Sequence, residues 1–366
     1  MAVKRILISE AKEGMELAGD VYDTKGRLIA PFGTVLDKEI IRKLENYDVV
    51  VLKIIVKSDI DDIFMESSAY ERSEESGYFE KIKQSEDFKT FRYSFEESVD
   101  ELSNKLNEVV YKNEEIDING LLESVKKVIN SNSSRYNLMD ILSCMRGYDD
   151  LTFAHSMSVS LICNVFAGWL GYGAKDVELL TVAGLLHDIG KIKIPKEIIA
   201  KPSRLTDEEY RIIKMHPILG YEILKSQPVD NRIRNAALMH HEKCDGSGYP
   251  QGLKRNQIDD VAKIVAIADV YDAMTANRVY REGMSPFDVI EYFEMCIDIF
   301  EPGYLMIFLQ KIALLYVGST VLLTDGTEGK IIMINSTSLG RPVVLSTNNK
   351  AIDLSKDKSI KIAKLI

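Results

Sequence analysis

The chain contains five histidines, His155, His187, His216, His240 and His241, and every one falls between residues 150 and 275. One of them opens the run HDIGK (His187 to Lys191), which closes an apolar segment (Leu179, Leu180, Val182, Ala183, Leu185, Leu186) that reads as a buried helix. A histidine and an aspartate side by side at such a helix end can both face a metal ion, with the Lys191 ammonium three residues after Asp188. If they do, the surrounding chain must fold so that helices carry the remaining ligands to that pair.

The segment from about Tyr136 to Leu315 reads as consecutive helices able to do this. One is expected over roughly Leu151 to Leu170, carrying His155 and stopped by Gly171. A second covers about Lys175 to Ile189 and is ended by Gly190, just after His187 and Asp188. The next begins on a capping box, Thr206 with Glu209 three residues on, and is expected to end at His216, because Pro217 breaks the hydrogen-bond ladder. A fourth, Arg232 to Lys243, brings His240 and His241 to its C-terminal end. A fifth, Asp260 to Ala276, places Asp269 and Asp272 three residues apart on one face.

Taken singly, each of these residues has an ordinary structural explanation. A histidine on an apolar helix, like His155 among Phe153, Val159 and Leu161, is usually a hydrogen-bonded core residue, and adjacent histidines usually point to different faces. Asp269 inside VAIADVYDAM is harder to dismiss, since a buried carboxylate is costly unless paired or metal-bound. Together, five histidines and two aspartates on five helices fit one explanation, a metal cluster. Imidazole and carboxylate donors without thiolate favour iron, manganese, nickel, cobalt or zinc over a structural zinc site. Seven protein ligands are too many for one ion that must also bind water and about right for two, an arrangement suited to hydrolysis of a phosphate ester. The aspartate of the HD pair is the natural bridge.

Composition narrows the class further. At 366 residues, 46% of them hydrophobic, the chain exceeds one ordinary domain and has ample material for a core. Cys144, Cys163, Cys244 and Cys296 form no CxxC pair, which argues against a zinc ribbon or a disulfide framework and for a reducing cytoplasm. The opening MAVKRILISEAKEGM is too charged for a signal peptide. No run reaches the roughly 20 apolar residues of a membrane helix; the nearest, Tyr304 to Leu323, is interrupted by Gln310, Lys311 and Gly318. Of the net charge of −10, the stretch from Ser58 to Asn119 carries −11 (18 acidic against 7 basic residues), so the rest is near neutral. With no basic stripe, general nucleic-acid binding is not expected.

The flanks differ from the helical middle. Residues 1–57 read as a small β-rich unit, with TKG and PFG turn signals between short strands, a helix over Leu36 to Tyr47 and the β-branched run VVVLKIIV (Val49 to Val56). Residues 58–135 form an acidic helical linker whose stripe Phe95, Val99, Leu102, Leu106 and Val109 is suited either to packing on the next domain or to a homodimer. Residues 136–315 form the helical domain, and 316–366 a small β unit with a hairpin at DGTEG and a strand at RPVVLS (Arg341 to Ser346). The fold class is therefore multidomain, an all-α domain between small β-rich units.

Three motifs, HDIGK (His187 to Lys191), HHEKCDGSGYP (His240 to Pro250) and ADVYDAMTANRVYR (Ala268 to Arg281), resemble in content and order the HD-GYP branch of the HD phosphohydrolases, over about half the chain. The resemblance implies a helical phosphodiesterase domain that opens cyclic di-GMP, a bacterial second messenger, using a water activated between two divalent transition-metal ions, iron or manganese before nickel, cobalt or zinc. It implies that His187 and Asp188 ligate one metal each or bridge both, with His216, His240 and His241 on one side and His155 and Asp269 on the other. Lys191 would bind the scissile phosphate or help the leaving oxygen accept a proton, and Arg278 and Arg281 would hold phosphates and bases. Asp272 would orient a histidine or an arginine. Gly246, Gly248, Tyr249 and Pro250 would form a tight loop beside the pocket. Gly248 and Tyr249 are among its expected substrate contacts, and the loop is expected to be structural or protein-facing rather than catalytic, with a diguanylate cyclase as the candidate partner.

One position departs from the pattern. Some family members hold a third metal with a glutamate four residues before the first histidine, where this chain has Leu151; Asp149 and Asp150 lie a turn or more away. The expectation is thus a two-metal site that yields mainly the linear dinucleotide pGpG. The rival readings are an HD phosphohydrolase acting on another cyclic dinucleotide or a nucleotide, and a scaffold that binds cyclic di-GMP or a cyclase without cleaving anything.

Overall fold

The computed structural model describes residues 2–8, 11–22, 28–47, 51–56, 77–131, 136–145, 151–201, 205–275 and 284–366. The chain divides into two units, Met1–Ser68 and Ala69–Ile366.

The first unit is built from short strands around one helix. β1 (Ala2–Leu7), β2 (Glu16–Leu17), β3 (Val21–Tyr22), β4 (Leu28–Ala30) and β5 (Val51–Val56) form an antiparallel sheet of order β1-β5-β2 and a separate β3-β4 pair. Ala2 lies opposite Val56 and Leu7 opposite Val51. Helix α1 (Lys38–Asn46) starts at Asp37, whose carboxylate accepts from Ile40 N at 2.7 Å. Leu17, Leu36, Leu44 and Leu52 from strand, loop and helix meet in its core. The TKG turn expected from sequence lies outside the described residues.

The second unit opens with α2 (Gly77–Gln84), α3 (Glu86–Lys112), α4 (Ile118–Ser131) and α5 (Leu138–Cys144). The α3 stripe Phe95, Val99, Leu102, Leu106 and Val109 is buried within the chain, where α3 packs on α4 and on α6 (Leu151–Trp169), rather than offered to a second subunit. Asp140 on α5 is fully buried and accepts from Tyr78 Oη on α2 at 2.6 Å and from Tyr316 Oη, at the end of the final helix, at 2.7 Å. Burial pushes its pKa up, against these hydrogen bonds.

Helix α7 (Ala174–Leu186) packs antiparallel to α6 at close range. A Cβ on Gly184 would lie 3.0 Å from both Cys163 Sγ and Ser160 Cα, and Ser160 Oγ donates to Thr181 O at 2.9 Å. This crossing sets the first turns of α6, with His155, beside the end of α7, with His187. Then follow α8 (Lys196–Ile199), α9 (Asp207–Ile213), α10 (His216–Lys225), α11 (Asn231–Met239) and α12 (Asp260–Thr275). From Ile264 to Thr275 every residue of α12 is buried, so it runs through the middle of the domain against α6, α7 and α11.

The expected helix ends need correcting in three places. Helix α7 stops at Leu186, and Gly190 lies inside a 3-10 turn (Ile189–Lys193) rather than at a helix stop. Helix α11 stops at Met239, short of the expected Lys243. Pro217 begins α10 instead of ending the helix before it; in a first turn its missing N–H removes no hydrogen bond.

Two further helices, α13 (Pro286–Met295) and α14 (Pro302–Leu315), carry the C-terminal sheet. β6 (Thr320–Leu323), β7 (Glu328–Asn335), β8 (Ser338–Ser346), β9 (Ala351–Asp353) and β10 (Ile362–Leu365) form it in the order β10-β6-β7-β8-β9, all antiparallel. The hairpin expected at DGTEG joins β6 to β7, with Gly326 at φ 85°. β8 lies against α13, where Arg341 Nε meets Glu291 Oε1 at 2.9 Å and a Cβ on Gly340 would stand 2.5 Å from Glu291 Cγ. Among the described residues no helix is long and apolar enough to cross a membrane.

Candidate metal centre

Two sets of side chains converge where α6, α7, α11 and α12 meet the start of α10. Asp188, His216, His240 and His241 offer donor atoms within 4.8 Å of one another, and so do His155, His187 and Asp269. The sequence-selected histidines and Asp269 are thus all brought together, in two groups. Asp188 joins them: its Oδ1 lies 3.2 Å from His216 Nε2 and 3.7 Å from His240 Nε2, its Oδ2 3.4 Å from His187 Nε2 and 3.8 Å from His155 Nε2.

Backbone carbonyls set which nitrogen of each ring faces inward. His187 Nδ1 lies 2.7 Å from Gly184 O, His216 Nδ1 2.7 Å from Ile213 O, and His240 Nδ1 3.1 Å from the carbonyls of Ala236 and Ala237. A nitrogen beside a carbonyl carries the hydrogen, so each Nε2 turns a lone pair into the site. His216 Nε2 and His240 Nε2 stand 3.2 Å apart. The buried His187 Nε2 and Asp188 Oδ1 have no hydrogen-bond partner among the described residues. Buried acceptors facing one another without a proton between them are costly unless a cation sits among them, and this donor set fits one.

The charges of the adjacent histidine pair agree with that fit. Burial holds the His240 pKa down at about 4, and burial with its imidazole neighbours holds His241 well below the ordinary range, so both are neutral at pH 7, the form that ligates metal. Burial would raise Asp188, but the Lys191 ammonium at 2.6 Å holds it well below the usual carboxylate range. Asp269 is likewise lowered against burial, by its hydrogen bond to His155. His155 lies between two acids, Nε2 2.9 Å from Asp269 Oδ1 and Nδ1 2.7 Å from Asp272 Oδ2. Burial alone would lower it; these partners lift it to about 9.

Two glycines bring the parts into contact. A Cβ on Gly190 would overlap His216 O and stand 2.5 Å from Gly220 N, so the turn after Asp188 packs directly on the backbone of α10. A Cβ on Gly248 would stand 2.5 Å from both Glu242 Cα and His241 O, so the GYP loop folds back onto the segment carrying the histidine pair. Gly248 serves close approach, while Gly246, at φ 85°, makes the turn. The buried Glu242 fastens this loop by accepting from Gln251 N at 2.7 Å and Leu253 N at 2.8 Å. Glu242 is not among the residues selected from sequence, although its place beside the histidine pair is a signal. Arg278, Arg281, Asp149 and Asp150 lie outside the described residues.

Residues 121–295 match the HD domain family. A cyclic di-GMP phosphodiesterase of Pseudomonas aeruginosa is 34% identical over 197 residues, 54% of this chain and 48% of its own. Another from Thermotoga maritima is 40% identical over 149 residues, 40% of each chain. A 3'3'-cGAMP-specific phosphodiesterase of Vibrio cholerae is 40% identical over 139 residues, 38% of this chain and 32% of its own. The chain spans about half the length of these relatives or less. Residues 121–295 thus carry an HD domain, with two clustered donor groups joined by Asp188, and this segment is similar in sequence to the cyclic di-GMP phosphodiesterases.

Proposed function

We propose that this chain is a cytoplasmic, metal-dependent phosphodiesterase that hydrolyses cyclic di-GMP, mainly to pGpG. The observation that supports this most directly is the Asp188 carboxylate, with one oxygen toward each donor group. The ligands in this reading are His155, His187, Asp188, His216, His240, His241 and Asp269, on a catalytic domain at 136–315 flanked by the units at 1–57, 58–135 and 316–366. Two divalent ions held there, iron or manganese before nickel, cobalt or zinc, would lower the pKa of a water toward neutrality and offset charge on the phosphate. Lys191, anchored on Asp188 and a quarter exposed, is placed to reach a phosphate arriving at that carboxylate and to offset its developing charge. Arg278 and Arg281 are assigned to the rest of the dinucleotide, with Gly248 and Tyr249 on the pocket border. Leu151, where a third-metal glutamate would stand, supports two ions and a linear product. The GYP loop, exposed at Asp245, Gln251 and Gly252, is the surface we assign to a diguanylate cyclase.

The test is turnover of cyclic di-GMP by the full chain, loaded with Mn(II) or anaerobically with Fe(II) and compared with chelated protein, products being separated by chromatography. Metal-dependent release of pGpG is expected, abolished in Asp188→Ala. Wild-type rates in metal-loaded Asp188→Ala would overturn the site, and GMP as the dominant early product would overturn the two-metal reading. A second substrate, 3'3'-cGAMP, is favoured by the Vibrio cholerae relative, and competing both dinucleotides in one assay ranks them.

A further inference from the structure

Four of the five histidines have a ring nitrogen beside a fixed acceptor: Asp272 for His155, Gly184 O for His187, Ile213 O for His216, and the carbonyls of Ala236 and Ala237 for His240. The ring of His241 makes no hydrogen bond to any described residue. Metal-binding imidazoles almost always have such a partner, because it fixes tautomer and ring orientation. What holds His241 is instead a face. The Tyr249 ring is stacked on it, centroids 4.6 Å apart and planes 25° from parallel. Lys214 Nζ lies 4.9 Å from the centroid of Tyr249 and 4.3 Å from that of Tyr210.

We infer that Tyr249 is a positioning residue for His241, with Lys214 bracing Tyr249, so that a stack of His241, Tyr249, Lys214 and Tyr210 fixes the ring orientation of this ligand, as a hydrogen bond does for the other four. The backbone is arranged for it. Tyr249 N donates to His241 O at 3.1 Å, which sets the two residues side by side. Only a glycine fits at 248, where the loop touches the backbone of His241 and Glu242. Aromatic stacking of this kind corresponds to about a 2- to 13-fold change in an equilibrium constant, and a cation over a tyrosine at a partly exposed site to about a two- to fivefold one. Lys214 is two residues before His216, so one short segment supplies both a ligand and the brace for another ligand. Tyr249 thus acts on the centre through His241, which gives it a role besides the substrate contact expected from sequence.

This inference rests on the reading of the site as a two-metal centre, and the experiment separates the two. Full-length wild type, Tyr249→Phe, Tyr249→Leu and Lys214→Gln are stripped of metal and titrated with Mn(II) against a chelator, giving an affinity for each ion. Tyr249→Phe, which keeps the stacked ring, should bind both ions like wild type. Tyr249→Leu should bind one of them about 2- to 13-fold more weakly, the fold-change expected for loss of one aromatic stack. Lys214→Gln should weaken the same ion about two- to fivefold. Equal affinities in Tyr249→Leu and wild type overturn the positioning role and leave the metal centre standing, whereas wild type that binds no pair of ions overturns the centre itself. Should Tyr249→Leu fail to fold, Lys214→Gln, a change at a half-buried side chain, decides: weakening of one ion supports the stack and none overturns it.

Discussion

Asp272 lies 2.7 Å from Nδ1 of His155, on the ring edge opposite the nitrogen that faces Asp188 and Asp269. One turn of α12 therefore carries both the acid that shares the site with His155 and the acid that orients it, which is what the three-residue spacing of Asp269 and Asp272 accomplishes. Without Asp272 the ring can turn and change tautomer. Asp272→Ala should weaken one of the two ions about 10- to 100-fold and leave the other unchanged. Chelator competition measures both, and two unchanged affinities would remove Asp272 from the centre's support.

Gly190 is a different kind of support. Its missing side chain lets the turn after Asp188 touch α10 at His216 and Gly220. Gly190→Ala must push α10 away, because the atoms it meets are backbone. Overpacking of this kind costs about 1–3 kcal/mol, and the displacement carries His216 from Asp188. The expected result is a lower melting temperature of the metal-free protein together with loss of one bound ion. A variant that melts lower yet binds both ions at full affinity would show that α10 recovers its position.

What can be read from the sequence here follows from what chemistry and geometry leave in a residue string. Metal ligands must be particular residue types, so the confinement of every histidine to one helical segment is informative from the sequence by itself. DGTEG is legible as a hairpin because φ above zero at Gly326 is a local demand. Helix ends are less legible: a periodic pattern cannot say that α7 yields to a 3-10 turn at Ile189, since that is decided by contact with α10, which begins some thirty residues later. The brace at Lys214 is hidden, because an amphipathic lysine looks alike over solvent and over a tyrosine.

The same limit hides Asp140, whose partners Tyr78 and Tyr316 lie 62 and 176 residues away in sequence. Three distant parts of the second unit, α2, α5 and the end of α14, share this one buried carboxylate. Asp140→Ala would strand two tyrosine hydroxyls, Tyr316 fully buried and Tyr78 partly so, at about 1–3 kcal/mol for each unsatisfied buried group. The summed loss in urea unfolding should exceed that of Tyr78→Phe or Tyr316→Phe, which each remove a donor along with its need. If Asp140→Ala is no less stable than either phenylalanine variant, the carboxylate is not the organising group.

Metal binding itself should appear in stability. His187 Nε2 and Asp188 Oδ1 are buried without partners among the described residues, so the metal-free site holds groups whose desolvation nothing offsets. Ions that bind the folded site and not the unfolded chain stabilise by RT ln(1 + [L]/Kd), about 2.7 kcal/mol per site at a hundredfold excess over Kd. The melting temperature should therefore rise with Mn(II) concentration and fall on chelation. Asp188→Ala makes the assignment specific, because it removes the carboxylate shared by both groups and the counter-charge of Lys191 while leaving all five imidazoles in place. Its melting temperature should hardly respond to Mn(II). A full metal-induced rise in Asp188→Ala would mean that the imidazoles and Asp269 hold the ions unaided, and Asp188 would no longer be the bridge.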